Sequence, residues 1–272
     1  MPIGIEWQTG RVNMCRPECP SDDVIKVLSV FGTRPEAIKM GPVVQRLQEN
    51  SRCITSLLCV TAQHRQMLDQ VLPIFALTPD YDLDVMRPDQ SPTQVAATVM
   101  SKLEPILRRE KPDWVLVQGD TTTAMAASLA AFYSGARVGH VEAGLRTNHK
   151  REPFPEEINR KLTGVIADLH FAPTTTARDN LLREGVGAES IHVTGNTVID
   201  ALLATAALPC QPELSPLKGV PWDRRILVVT AHRRENFGAP FEQVCLALRD
   251  IARHYSDSAH LVYPVHPNPN VL

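Results

Sequence analysis

Three carboxylates stand where general acid/base chemistry could use them: Asp120, Glu142 and Glu156, with His232 as a titratable or hydrogen-bonding partner. Asp120 and Glu142 close short apolar runs, so neither reads as an ordinary helix-surface charge. Glu156 and Glu157 follow Pro155 in what should be a first helical turn, where the helix dipole favours acids in any case. Cations accompany them. Arg34 and Lys39 lie in or just after Gly32-Thr33-Arg34-Pro35-Glu36, where a free helix N-terminus would suit an anion; the other reading is a well-capped helix with solvated basic residues. His232-Arg233-Arg234 could likewise be a phosphate-binding loop. The chain has no G-x-x-x-x-G-K-[ST], and Gly185-Val186-Gly187 lacks a third glycine and follows a helical stretch, which disfavours a P-loop and a conventionally held NAD or FAD. No metal is expected. Cys15 and Cys19 have no second ligand pair, no H-E-x-x-H occurs, and Asp82-Leu83-Asp84 reads as a solvated turn.

These residues need elements to position them, and the hydrophobic pattern supplies an alternation of strand and helix typical of a parallel α/β sheet. Strands are expected at Val24–Phe31, Ile54–Val60, Trp114–Val117, Arg137–Val141, Leu169–Ala172 and Ile191–Thr194. Helices are expected after Thr33, with a capping box to Glu36 and a kink or restart at Pro42, after Ser91, over Thr121–Tyr133 up to Gly135, over Pro155–Asp168, over Thr174–Glu184 and near Val198–Ala206. Almost every polar cluster then falls at the carboxyl end of a strand, where open α/β sheets collect ligands. Pro209, Pro212, Pro216 and Pro221 mark residues 208–221 as a linker between a domain at 24–207 and the start of a second at 222–272, which contains one βαβ unit. Residues 1–23 are expected to be a poorly ordered extension without a secretory h-region.

Composition narrows the function classes. In 272 residues, 28 Lys+Arg face 30 Asp+Glu, a net charge of −2 that gives no reason to expect a nucleic-acid or polybasic membrane binder. The hydrophobic share of 43% suffices for a core, and no uncharged apolar run approaches the length of a membrane span. A cytoplasmic enzyme fits best.

Eight blocks in order resemble the non-hydrolysing bacterial UDP-N-acetylglucosamine 2-epimerases: Val30-Phe31-Gly32-Thr33-Arg34-Pro35-Glu36-Ala37-Ile38-Lys39-Met40, Thr61-Ala62-Gln63-His64-Arg65-Gln66-Met67-Leu68, Gln118-Gly119-Asp120-Thr121-Thr122-Thr123, His140-Val141-Glu142-Ala143-Gly144-Leu145-Arg146-Thr147, Pro155-Glu156-Glu157-Ile158-Asn159-Arg160, Thr194-Gly195-Asn196-Thr197-Val198-Ile199-Asp200, His232-Arg233-Arg234-Glu235-Asn236-Phe237-Gly238 and His266-Pro267-Asn268-Pro269. The resemblance implies an α/β, GT-B-like fold of two Rossmann-like parallel-sheet domains, the second incomplete here, with the active site in the cleft. It implies interconversion of UDP-GlcNAc and UDP-ManNAc by elimination and re-addition of UDP, with no metal or cofactor, for surface polysaccharide supply. By the same resemblance Asp120, Glu142, Glu156 and His232 are catalytic, and Arg34, Lys39, Asn196 and Arg233 bind substrate. Gln63, Gln66, Gln90, Arg234 and His266 match the region that takes a second UDP-GlcNAc as activator, although Asp89 stands where some members have Arg. A homodimer is implied. Alternatives are a hydrolysing epimerase releasing UDP and ManNAc, a GT-B glycosyltransferase, and an inactive fragment.

Overall fold

The apolar runs become strands whose alternate residues face opposite layers of helices. The computed structural model describes residues 24–62, 68–87, 89–209, 216–231 and 238–265. The chain divides after Ala207 into two compact units. In the first, β1 (Ile25–Phe31), β2 (Ile54–Val60), β3 (Tyr81–Asp82), β4 (Trp114–Gln118), β5 (Arg137–Val141), β6 (Leu169–Ala172) and β7 (Ile191–Val193) form one seven-stranded sheet in the order β3-β2-β1-β4-β5-β6-β7. Every pairing is parallel. The order reverses between β1 and β4, and a crevice opens at such a switch point beyond the strands' carboxyl ends.

Leu28 and Val30 of β1, with Val115 and Val117 of β4, pack under α2 (Pro92–Glu110) and α3 (Thr122–Ser134). Val27 and Phe31 turn the other way, toward α1 (Arg34–Glu49) and α6 (Val198–Ala206). Helix α3 is buried nearly all round, which explains its run of Ala124, Ala126, Ala127, Ala130 and Ala131: only small side chains let it lie close to the sheet and its helical neighbours. Thr121 caps it by accepting from Ala124 N at 3.0 Å, and Gly135 ends it in a left-handed turn. Ser91 and Gln94 form a reciprocal capping box at the start of α2. Helices α4 (Glu156–Ile166) and α5 (Thr175–Arg183) complete the unit. The second unit contains β8 (Arg225–Val228), α7 (Ala239–His254) and β9 (Ala259–Val262), with β8 and β9 paired in parallel.

One local expectation changes. No helix restart occurs at Pro42: α1 runs unbroken from Arg34 to Glu49, because Met40 and Val44 on either side are fully buried and hold both turns against the sheet. Asp82 ends the short edge strand β3, and the exposed turn expected at Asp82–Asp84 follows, with the Asp82 carboxylate accepting from Asp84 N at 3.0 Å. The expected extension at 1–23 lies outside the described residues. Among the described residues, no helix is long and apolar enough to cross a membrane.

Two buried features yield measurable expectations. Gly144 has φ +84°, and a Cβ there would lie 2.2 Å from the Ala177 carbonyl oxygen of α5. Gly144→Ala should therefore lower stability by about 2 kcal/mol or more, read from the urea midpoint. An unchanged midpoint would contradict this packing. His140 on β5 is fully buried, and its Nε2 donates to the Gly119 carbonyl at 2.7 Å. Burial drives its pKa down to about 3, so the folded protein keeps it neutral while the unfolded chain protonates near pH 6.5. Its contribution is complete above that pH and is lost as pH falls toward 3, by about 1.4 kcal/mol per pH unit. His140→Gln should remove this part of the pH slope in denaturation series at pH 5 to 7.

Candidate functional site

The turn between β1 and α1 is organised by a carboxylate. Glu36 is 2% exposed, and its Oε2 accepts from the backbone N–H of Gly32 at 3.0 Å and of Thr33 at 2.7 Å. Its Oε1 accepts from the Thr121 hydroxyl at 2.6 Å, which ties the turn after β1 to the turn after β4. Burial raises the Glu36 pKa above the usual range, against the pull of its hydrogen bonds with Thr121, Gly32 and Thr33. The backbone N–H groups of Gly32 and Thr33 are therefore occupied within the chain, which leaves the Arg34 and Lys39 side chains to supply positive charge beside the turn. Its capping amides are already held by an internal acid, as the well-capped-helix reading has it.

Next to this turn, Lys39 on the first turns of α1 reaches Glu142 at the end of β5, with Nζ 2.5 Å from Oε2. The same oxygen accepts from Asn196 Nδ2 at 3.1 Å, so α1, β5 and the loop before α6 meet on one carboxylate. Glu142 is 8% exposed and holds φ +64°, a left-handed conformation that suits glycine or asparagine better than glutamate. Asp120, directly after β4, is clasped at Oδ2 by Arg160 of α4. Burial pushes the Asp120 pKa up; Arg160 and Lys39 oppose that rise, and the nearby Glu142 adds to it. Among the described residues, no other side chain hydrogen-bonds to Asp120, and none bonds to Glu142 Oε1. Two acids from neighbouring strands thus lie close enough to influence each other, each with a cation on one oxygen.

Glu156 begins α4 beside a cavity of about 240 Å³ lined also by Thr33, Gln90, Thr121 and Asn159. Its Oε2 is buried and has no hydrogen-bond partner. Glu157, one residue on, turns away from this chemistry: it is fully buried and accepts from the backbone N–H groups of Thr147 and Asn148, fixing the loop after β5. Arg34 is half-buried at the first position of α1 and makes no side-chain hydrogen bond or ion pair among the described residues. Gln90 accepts from Arg87 N at 2.8 Å while lining the Glu156 cavity. Among the described residues, no group of three or more His, Cys, Asp and Glu could hold a metal ion. His232, Arg233, Arg234, Gln63, Gln66 and His266 lie outside the described residues.

The structure brings together Lys39, Asp120, Glu142 and Asn196; it adds Arg160, which the sequence reading left without a role, and gives the expected cap residue Glu36 a second contact, to Thr121. Arg160 falls four residues after Glu156 on α4, hence on the same helix face, but nothing local in the sequence ties it to Asp120.

The sequence profile of the UDP-N-acetylglucosamine 2-epimerase family matches residues 45–272. A Clostridium acetobutylicum protein is 55% identical over 248 residues, covering 91% of this chain and 64% of its own length. The UDP-N-acetylglucosamine 2-epimerase of Escherichia coli K12 is 53% identical over 253 residues, covering 91% of this chain and 67% of that protein. This chain therefore spans about two thirds of the length of these curated relatives. The crystal structure of the UDP-GlcNAc 2-epimerase of Neisseria meningitidis bound to UDP-GlcNAc superimposes with a TM-score of 0.79 at 47% identity, over 91% of this chain and 67% of that one. With its α/β, parallel-sheet architecture and these matches along nearly all of its length, the chain belongs to the UDP-N-acetylglucosamine 2-epimerase family.

Proposed function

We propose that this site serves the interconversion of UDP-N-acetylglucosamine and UDP-N-acetylmannosamine by elimination and re-addition of UDP across C1–C2. The observation that carries the reading is the pair of cation-held acids, Asp120 and Glu142, at the carboxyl ends of adjacent strands. Epimerisation at C2 requires a proton to leave one face and another to arrive on the opposite face. As the proton leaves to a carboxylate, its C–H electrons form the C1=C2 bond, and the C1–O bond breaks with its electrons departing on UDP. The 2-acetamidoglucal left behind is then protonated at C2 from the other side, and UDP returns to C1. Asp120, Glu142 and Glu156 supply the acids and bases of this scheme, with His232 assisting departure of the diphosphate. Lys39 and Asn196 hold Glu142 and face the substrate with it, while Arg34 and Arg233 take the diphosphate charge. The chemistry requires neither a redox cofactor nor a metal.

The relatives support this reading: one is named for the activity in E. coli, and another was solved with UDP-GlcNAc bound. A second UDP-GlcNAc would act as activator through Gln63, Gln66, Gln90, Arg234 and His266. We further infer a homodimer, favoured by the exposed apolar side chains Phe132, Tyr133, Leu162 and Val165 on α3 and α4, the last 84% exposed. A substrate bearing a charged diphosphate does not cross a bilayer unaided, which favours action in the cytoplasm.

Incubating the protein with UDP-GlcNAc in D2O and following it by proton NMR should show UDP-ManNAc carrying deuterium at C2. Free ManNAc with UDP would instead favour the hydrolysing reading, and absence of exchange and of both products would overturn the enzymatic one. Asp120→Asn should reduce turnover by more than about 100-fold, the usual scale for a lost acid or base. Near-normal turnover in that variant would remove Asp120 from the chemistry.

A further inference from the structure

We infer that Arg160 is a positioning residue for the reaction: its guanidinium, delivered by the same helix that carries Glu156, fixes the orientation of the Asp120 carboxylate and favours its charge against the cost of burial. The inference rests on the proposed function for its catalytic meaning, but its physical content stands on three observations of Arg160 itself.

First, the contact is specific. Nη2 of Arg160 bonds Oδ2 of Asp120, and Nη1 reaches the Leu145 carbonyl at 3.4 Å, so the fork is anchored to both the turn after β4 and the loop after β5. Second, the arginine is buried, its side chain only 9% exposed, and its Nε is buried without a partner. A buried guanidinium with an unsatisfied donor is poorly accounted for by stability alone, since an apolar side chain of similar volume would avoid both desolvation and the unmet hydrogen bond. Third, no second side chain bonds Asp120 among the described residues, so its direction depends on this one fork.

The surrounding charges show why such a clamp is needed. Asp120 faces Arg160 of α4, Lys39 of α1 and the like-charged Glu142 of β5. Lys39 is 2.5 Å from Glu142 and bonds to that acid rather than to Asp120. Two neighbouring acids with a single cation between them would tend to share a proton. With a cation each, both can be anionic together, and the helix that presents Glu156 also sets the state of Asp120. Movement of α4 would then shift two acidic groups at once.

The test compares Arg160→Gln and Arg160→Lys with the unaltered protein, using circular dichroism and urea midpoints to verify folding. In epimerisation assays across pH 5 to 9, Arg160→Gln should lower kcat at neutral pH at least about tenfold and move the acid limb of its pH profile upward by about one unit. Arg160→Lys, which keeps the charge and loses the fork, should restore the limb but not the full rate. A pH profile for Arg160→Gln that coincides with that of the unaltered protein would overturn the inference. A separate readout keeps this independent of the proposed reaction. The carbon-13 carboxyl resonance of Asp120, assigned by its loss in Asp120→Asn, should titrate about one unit higher in Arg160→Gln. An unshifted titration overturns the role of Arg160 even if turnover falls, whereas a shifted titration in a protein that shows no turnover even unaltered sustains it and defeats only the epimerase reading. If Arg160→Gln does not fold, Arg160→Lys decides: an unchanged rate and an unchanged profile overturn the clamp.

Discussion

Everything at the crevice depends on neutralising charge that has been taken out of water. Lys39, Asp120, Glu142 and Arg160 are each less than one quarter exposed, and a lone ion in such a place would be strongly disfavoured. The fold meets this constraint by drawing the partners from different elements: α1 to the end of β5, and α4 to the end of β4. The pairs therefore act as clips as well as charges. Glu36 works in the same manner with hydrogen bonds, joining the turn that starts α1 to the one that starts α3. Beneath these contacts, the buried residues of the sheet are apolar or neutral, with His140 held uncharged by burial and given one acceptor in Gly119.

The strand and helix order was legible because a sheet covered on both faces demands uninterrupted apolar runs, and these stand out in the sequence. Helix ends were legible where a cap is local, as at Thr33–Glu36, Ser91 and Gly135. Local rules failed where tertiary packing overrode them. Pro42 should interrupt a helix taken by itself, yet burial on both sides carries α1 through it. The two-residue strand β3 has too little pattern to show and exists because Cys59 and Val60 of β2 offer it an edge.

The candidate site was legible in a similar, uneven way. Asp120 and Glu142 were marked by their place at the ends of strands, which topology turns into proximity. The partners of those acids were not marked. Arg160 lies forty residues from Asp120, and Asn196 fifty-four from Glu142, so no local spacing announces either contact. That the amides of Gly32 and Thr33 are held by Glu36 itself also needed the folded chain to show it.

The left-handed backbone of Glu142 carries a consequence of its own. A residue with a Cβ is disfavoured at φ +64°, by about 1 kcal/mol, and glycine would relieve that strain. Here selection for folding and selection for the site pull in opposite directions. The side chain is tethered by Lys39 and Asn196, so the tethers and the strain act as one unit. A lineage released from the need for this carboxylate would be expected to drift first at position 142, toward glycine or asparagine, with Lys39 and Asn196 following once they had nothing to hold.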